Sequence, residues 1–407
     1  MRPWLTLACG LYAAAFVSAA ALHAQPQPSA QPRRDVVQEL QEKLASGQLR
    51  LEHKDDASGY LTSVLKLLDI PVESQVLVFS KTSFQAPLIS PGKPRAIYFN
   101  DDTAVGFVQG GKFLELTTTG ADGRVAFYTL NASTAASPAF ERDSAICMSC
   151  HVSVGSTGGL IVANVMPQED GTPLFITIDR LFDVSDATTP FDRRWGGWYV
   201  TGQHGEMKHN GNVHLTEDHP YDLDPKAGLN VADLSSRLDL RPYPVATSDI
   251  VALMTFEHQL GAMNRIWRLQ AQGRPSDVED LVAYLVGVGE APLPSPVTGA
   301  STFSRTFAAR GPRDGAGRSL RDFDLQTRLF RYPLSYVVYS RAFEGLEADL
   351  REQVYRRLFD VLSGADTSAK YASIPLERRR AALEILAATK SDLPAYWRSD
   401  VRPVAAR

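Results

Sequence analysis

Residues 95–131 read RAIYFNDDTAVGFVQGGKFLELTTTGADGRVAFYTLN. Within them RAIYFN, AVGFVQG, KFLELTTT and RVAFYTLN are short runs rich in β-branched and aromatic residues. NDD, GG and GADG separate them, and such Gly, Asn and Asp clusters mark turns. Upstream, QVLVFS begins at Gln75 and SPGKP separates it from Arg95. Downstream, GLIVANVM (159–166) and PLFITIDRL (173–181) read as strands around the turn PQEDGTP, and RRWGGWYVTG (193–202) as another.

Outside this block the pattern changes to helical. DVVQELQEKLASG opens at Asp35 as an amphipathic helix, and YLTSVLKLLDI ends before Pro71. From Ser248 onward, SDIVALMTFEHQLGAMNRIWRLQAQ has Ser248 or Asp249 as N-cap and a long apolar face. SDVEDLVAYLVGVGE follows, with Ser276 three places before Glu279 in capping-box spacing. Two more helical stretches, 345–364 and 375–390, complete the chain. The expected class is α+β, a β-rich region at 35–225 followed by a mainly helical region at 226–407.

The first 24 residues have the layout of a secretory signal peptide: Arg2, an apolar run from Trp4 to Leu22, then LHA before QPQPSAQP. A single membrane anchor is the alternative, because about 18 apolar residues can span a bilayer. Cys9 as a lipoprotein anchor fits poorly, since Thr6 precedes it and the apolar run continues past it. Residues 25–34, rich in Pro, Gln and Ser, read as a disordered mature start. The mature chain of about 380 residues is large enough for a sizeable core and two subdomains. It shows no further membrane-spanning run. Net charge is −4 with both signs interspersed, hydrophobic residues are 44% and charged residues 22%. That is ordinary globular composition, without the basic block that nucleic acid needs. The expected location is outside the cytoplasm, in a bacterial periplasm.

Once the leader is removed, Cys147 and Cys150 are the cysteines that remain, in CMSCH (147–151). Three chemistries use this spacing. A redox-active disulfide needs a helix after the pair, and SVGSTGG (153–159) does not continue as an amphipathic helix. A structural zinc usually needs four ligands and would here depend on scattered histidines. A covalent haem needs C-x-x-C-H itself, with the thiols as attachment points and the histidine as iron ligand. The motif and the shortage of other cysteines favour haem over the other two.

At Cys147, Cys150 and His151 the chain resembles the c-type cytochromes. The resemblance implies one covalent haem c, thioether-linked at Cys147 and Cys150, with His151 as proximal iron ligand. It ends there. The long flanks are similar to those of large exported bacterial monohaem proteins, and no specific reaction carries over.

Haem iron takes a sixth ligand for electron transfer or keeps that position open for chemistry. The stretch TGQHGEMKHNGNVHLTEDHP (201–220) gathers His204, Met207, His209, His214 and His219, broken by glycines into a loop. Its expected distal candidates are His209 first, with Asn210 and Asn212 to orient the ring, then Met207, then His204. Met254 and His258, four apart on one helix face, are the second choice, and His258 alone reads equally as a core residue. Met148 lies between the cysteines and is poorly placed, and His53 reads as solvated. Haem carboxylates favour arginine forks, for which Arg193, Arg194, Arg328 and Arg331 are candidates against ordinary salt bridges.

No G-x-S-x-G elbow, Walker loop or H-E-x-x-H is present. The resulting expectation is an electron-transfer protein meeting a redox partner protein or a small electron donor or acceptor. A haem enzyme of peroxidase or oxidase type, with an open or weakly held sixth position, is the alternative, and a haem-based sensor is a third.

Overall fold

A computed structural model describes residues 34–131, 138–142, 151, 160–174 and 183–399. The readings made of residues 1–33, of Cys147, Met148 and Cys150, and of the strand at 175–181 lie outside these residues.

The β-rich runs become a seven-stranded antiparallel sheet. Its strands are β1 (Val76–Val78), β2 (Arg95–Phe99), β3 (Thr103–Phe107), β4 (Phe113–Thr119), β5 (Val125–Asn131), β6 (Phe140–Arg142) and β9 (Trp198–Tyr199). Their spatial order is β6-β5-β4-β3-β2-β1-β9. From β1 to β6 each strand pairs with its sequence neighbour, and short turns join β2 to β3, β3 to β4 and β4 to β5. β9 returns after a long excursion to close the β1 edge, with Leu77 opposite Tyr199 and Val78 opposite Trp198. Two small ribbons complete the strands: β7 (Val162–Asn164) with β8 (Asp183–Ser185), and β10 (Gly202–Gln203) with β11 (Thr298–Gly299).

Alternation along the strands gives the sheet two faces. Leu77, Ala96, Tyr98, Val105, Leu114, Leu116, Ala126 and Leu130 point to one side, where they pack with Val37, Leu40, Leu61, Val64 and Leu65. Those residues belong to α1 (Val36–Ala45) and α2 (Leu61–Leu67). The α1 start is as expected: Asp35 accepts from Val37 and Gln38 backbone N–H groups, and Gln38 returns a bond to the Asp35 backbone.

The other face meets α3 (Ile250–Gln272), the central helix. Phe99 packs on Phe256 with ring centroids 4.7 Å apart. One continuous core joins Val76, Val78 and Ile97 of the sheet to α3, α4 (Pro275–Leu285), α5 (Phe303–Ala309), α6 (Ala348–Ser363) and α7 (Leu376–Thr389). The chain is therefore α+β, with two short helices, then the sheet, then the main helices, and all described residues fall in one compact unit.

One local expectation is corrected. The helix read as opening at Ser276 starts at Pro275, with Arg274 at the cap and no side-chain cap bond. Proline at the first helical position has its φ preset and lacks the N–H a cap would satisfy. Glu279 instead bonds Arg357 at 3.0 Å and the Tyr371 hydroxyl at 2.7 Å.

Candidate functional site

On the α3-facing side of the sheet, alternate residues line an open pocket: Arg95 and Ile97 of β2, Ala104 and Gly106 of β3, Glu115 and Thr117 of β4, Phe127 and Thr129 of β5. The register sets them side by side, with Ile97 opposite Gly106, Gly106 opposite Glu115 and Glu115 opposite Thr129. Phe256 and Leu260 of α3, Trp198 of β9, and Leu160, Ile161 and Ala163 form the other walls. The cavity between these walls is about 200 Å³ and open at its mouth, smaller than the roughly 300–1000 Å³ that small-molecule sites commonly enclose.

His151 lies in this wall. Its ring stacks on Phe127, with centroids 4.9 Å apart and planes 24° from parallel. The segment beyond it is pinned by α3: Asn264 accepts from the Leu160 N–H at 3.0 Å and donates to the Leu160 carbonyl at 2.9 Å. Trp198 Nε1 donates to the Ala163 carbonyl at 2.7 Å, and Ser185 Oγ to that of Val162 at 3.2 Å.

The polar end of the pocket was not legible in the sequence. Arg95 on β2 reaches across β3 to pair with Glu115 on β4. It can do so because position 106 lacks a Cβ: one built there would lie 2.7 Å from the Arg95 guanidinium. Glu115 also accepts from Ser83 Oγ at 2.9 Å and Gln85 Nε2 at 2.8 Å. Two buried atoms in the wall, Arg95 Nε and Thr117 Oγ1, have no hydrogen-bond partner among the described residues. A glycine inside a strand is a sign of close backbone approach, and Gly106 was the one available signal.

The histidine-rich loop expected over a distal haem face does not enter this pocket. None of His204, Met207 and His209 lines the pocket. All three are buried, and the two imidazoles face each other with Nε2 atoms 3.2 Å apart. The Gly211 N–H donates to His209 Nδ1 at 3.0 Å and the Asn230 N–H to His204 Nε2 at 3.1 Å. Asn212 does not orient His209; it bonds Val200 and Gly228 instead. Burial holds His209 down at about 3, with the neighbouring His204 adding to the effect, and burial also lowers His204.

Other candidates are likewise engaged away from the pocket. His258 meets Ser335 Oγ at 2.7 Å and stacks on Tyr284, while Met254 is in the core. His53 is near Asp55 at 3.5 Å and packs edge-on to Tyr60. Arg194 is buried in an ion pair with Glu257 at 3.1 Å, and Arg328 pairs with Glu290 at 2.7 Å. Arg193 and Arg331 are exposed. No group of three or more His, Cys, Asp or Glu side chains among the described residues is arranged to hold a metal ion.

The walls are mainly apolar, with the unpartnered Arg95 Nε and Thr117 Oγ1 among them. Compared with family models, with curated proteins and with solved structures, the chain has no match.

Proposed function

We propose that the chain is an exported monohaem c-type cytochrome acting in electron transfer, with haem held through Cys147 and Cys150 and His151 as proximal iron ligand. The observation that carries this reading is the place of His151. The residue that ends the attachment motif lies in the wall of an open, mainly apolar pocket. When bound, the haem supplies a one-electron redox centre.

The chain's own residues do the rest. Phe127 stacks on His151 and limits its ring rotation. Val78, Ile97, Phe256 and Leu260 give the pocket apolar walls, which would favour the less charged reduced state. Arg95, steadied by Glu115, offers a guanidinium edge to a haem carboxylate. A redox partner protein or a small electron donor or acceptor completes the function.

The test is intact-protein mass of the mature chain made with its haem-attachment machinery. The expected mass is that of polypeptide plus one haem, and Cys147→Ser with Cys150→Ser reduces it to polypeptide alone. A wild-type chain with the mass of bare polypeptide sinks the reading.

A further inference from the structure

We infer that the loop at residues 83–88 docks on a membrane, and that its partner is a bilayer carrying anionic phospholipid. The inference does not depend on a haem, and it adds to the proposed function a surface on which the protein works.

The loop is built inside out. Its polar side chains turn inward: Ser83 Oγ donates to Glu115 at 2.9 Å, and Gln85 Nε2 donates to Glu115 at 2.8 Å and to the Phe113 carbonyl at 3.1 Å. Gly111 makes room for this, because a Cβ there would lie 2.5 Å from Gln85 Oε1. The apolar side chains turn outward. Gln85 is 7% exposed, whereas Phe84 is 48% and Leu88 41% exposed, and Pro87 is exposed beside them. Phe84 lies against the half-buried ring of Phe113, with centroids 6.3 Å apart. A single exposed apolar residue needs no explanation, but folding gains nothing from burying Ser and Gln while exposing Phe and Leu next to them. The arrangement is favourable when something apolar covers the loop.

Charge identifies what covers it. Residues 81–95 and 103–114, which form this corner, contain Lys81, Lys93, Arg95 and Lys112 and no Asp or Glu. Lys81 pairs with Asp170 at 2.6 Å, and Arg95 pairs with Glu115. Lys93 and Lys112 are exposed and have no ion-pair partner among the described residues. Lys112 adjoins Phe113, and Lys93 is bridged to Ser90, two residues past Leu88. Across a cleft from Lys93 is Asp56, whose carboxylate is taken by the Ser58 N–H and Oγ. An ammonium is a compact point charge suited to a phosphate. The net charge of −4 does not oppose docking, because at physiological salt charges more than about 8 Å from the lipid are screened.

A protein partner fits less well. A specific protein interface takes about 800 Å² from each side, more than these few side chains supply. Interfacial anchoring needs only a few aromatic and aliphatic side chains flanked by lysine. Phe84 also stands in the wall of the pocket that holds His151, so docking brings that opening to the lipid surface.

The experiment is flotation of the purified mature chain with vesicles of phosphatidylcholine alone or mixed with phosphatidylglycerol. The leader must be absent, because its apolar run would itself bind lipid. The expected result is binding to the anionic vesicles only, weakened by added salt. Phe84→Ser with Leu88→Ser should weaken it about 10-fold. Lys93→Gln and Lys112→Gln should each weaken it about five-fold. These variants should melt with the wild type, since the replaced side chains are exposed. Leu376→Ser, at an exposed leucine of α7, should leave binding unchanged. No flotation with either vesicle overturns the inference and gives the patch to a protein partner instead. Equal flotation with both vesicles, or binding that survives the Phe84 and Leu88 changes, also overturns it.

Discussion

The two facing histidines show how far single side chains can be read from their partners. His209 accepts a backbone N–H at Nδ1, so its own proton is on Nε2 and is donated to His204. His204 Nε2 accepts that bond and one from Asn230, so its proton is on Nδ1, a buried atom with no partner among the described residues. A further proton on His209 would have to enter at Nδ1, against the Gly211 N–H. Both rings are therefore neutral, and His209 is held down at about 3. An unfolded histidine titrates near 6.5, so below that pH the unfolded chain binds a proton that the folded chain refuses. Stability from this group is full above about pH 6.5 and is lost as pH falls toward about 3. Asp102, raised to about 6 by burial, works the other way, so the comparison must be with a variant. Between about pH 7 and about pH 4.5, urea unfolding should show the wild type losing about 2.5 kcal/mol more than His209→Gln. Equal losses would mean that the buried neutral pair is absent.

Among the elements, α3 organises the molecule, and its start is the point to test. Asp249 is fully buried and caps the helix through Val251 and Ala252 N–H groups at 2.8 and 3.2 Å. Its other oxygen accepts from the Ser301 N–H and Oγ, both at 2.7 Å. One carboxylate thus ties the helix to the segment following β11. An exposed cap is worth about 1 kcal/mol, and leaving buried donors unsatisfied adds to that. Asp249→Ala should therefore cost about 2–4 kcal/mol in urea unfolding. A cost under about 1 kcal/mol would show that the two ends are not coupled through this residue. Asp249 was readable from the sequence as a cap, because Asp precedes an apolar run of helical period. Its bonds to Ser301, fifty-two residues away, were not.

For the whole molecule, the proposed export makes a separate prediction. N-terminal sequencing of haem-loaded protein should begin near Gln25, and haem should be attached only in exported chains, where both thiols must be reduced. Recovery of a holoprotein still beginning at the initiator, with Arg2 in place, would point to a membrane anchor instead. Among the described residues no helix is long and apolar enough to cross a membrane. Even α3, most of whose residues are buried, carries Glu257, His258 and Arg265, and each has a specific partner in the fold.

The sequence by itself determined the elements and the motif. Turn residues separated β-rich runs that became β1 to β5, helical periodicity marked α1, α2, α3, α6 and α7, and CMSCH named Cys147, Cys150 and His151. These depend on neighbours within a few residues, which a linear reading contains. Only the tertiary structure decided the rest of the site. The pocket draws alternate residues from four adjacent strands, a face of α3 and the return strand β9, and their meeting depends on register and on which half of the sheet α3 leaves uncovered. The same reason explains the histidine-rich loop. Its composition suited iron, but β10 pairs with β11 and Asn230 bonds His204, so the loop folds into the core, away from His151.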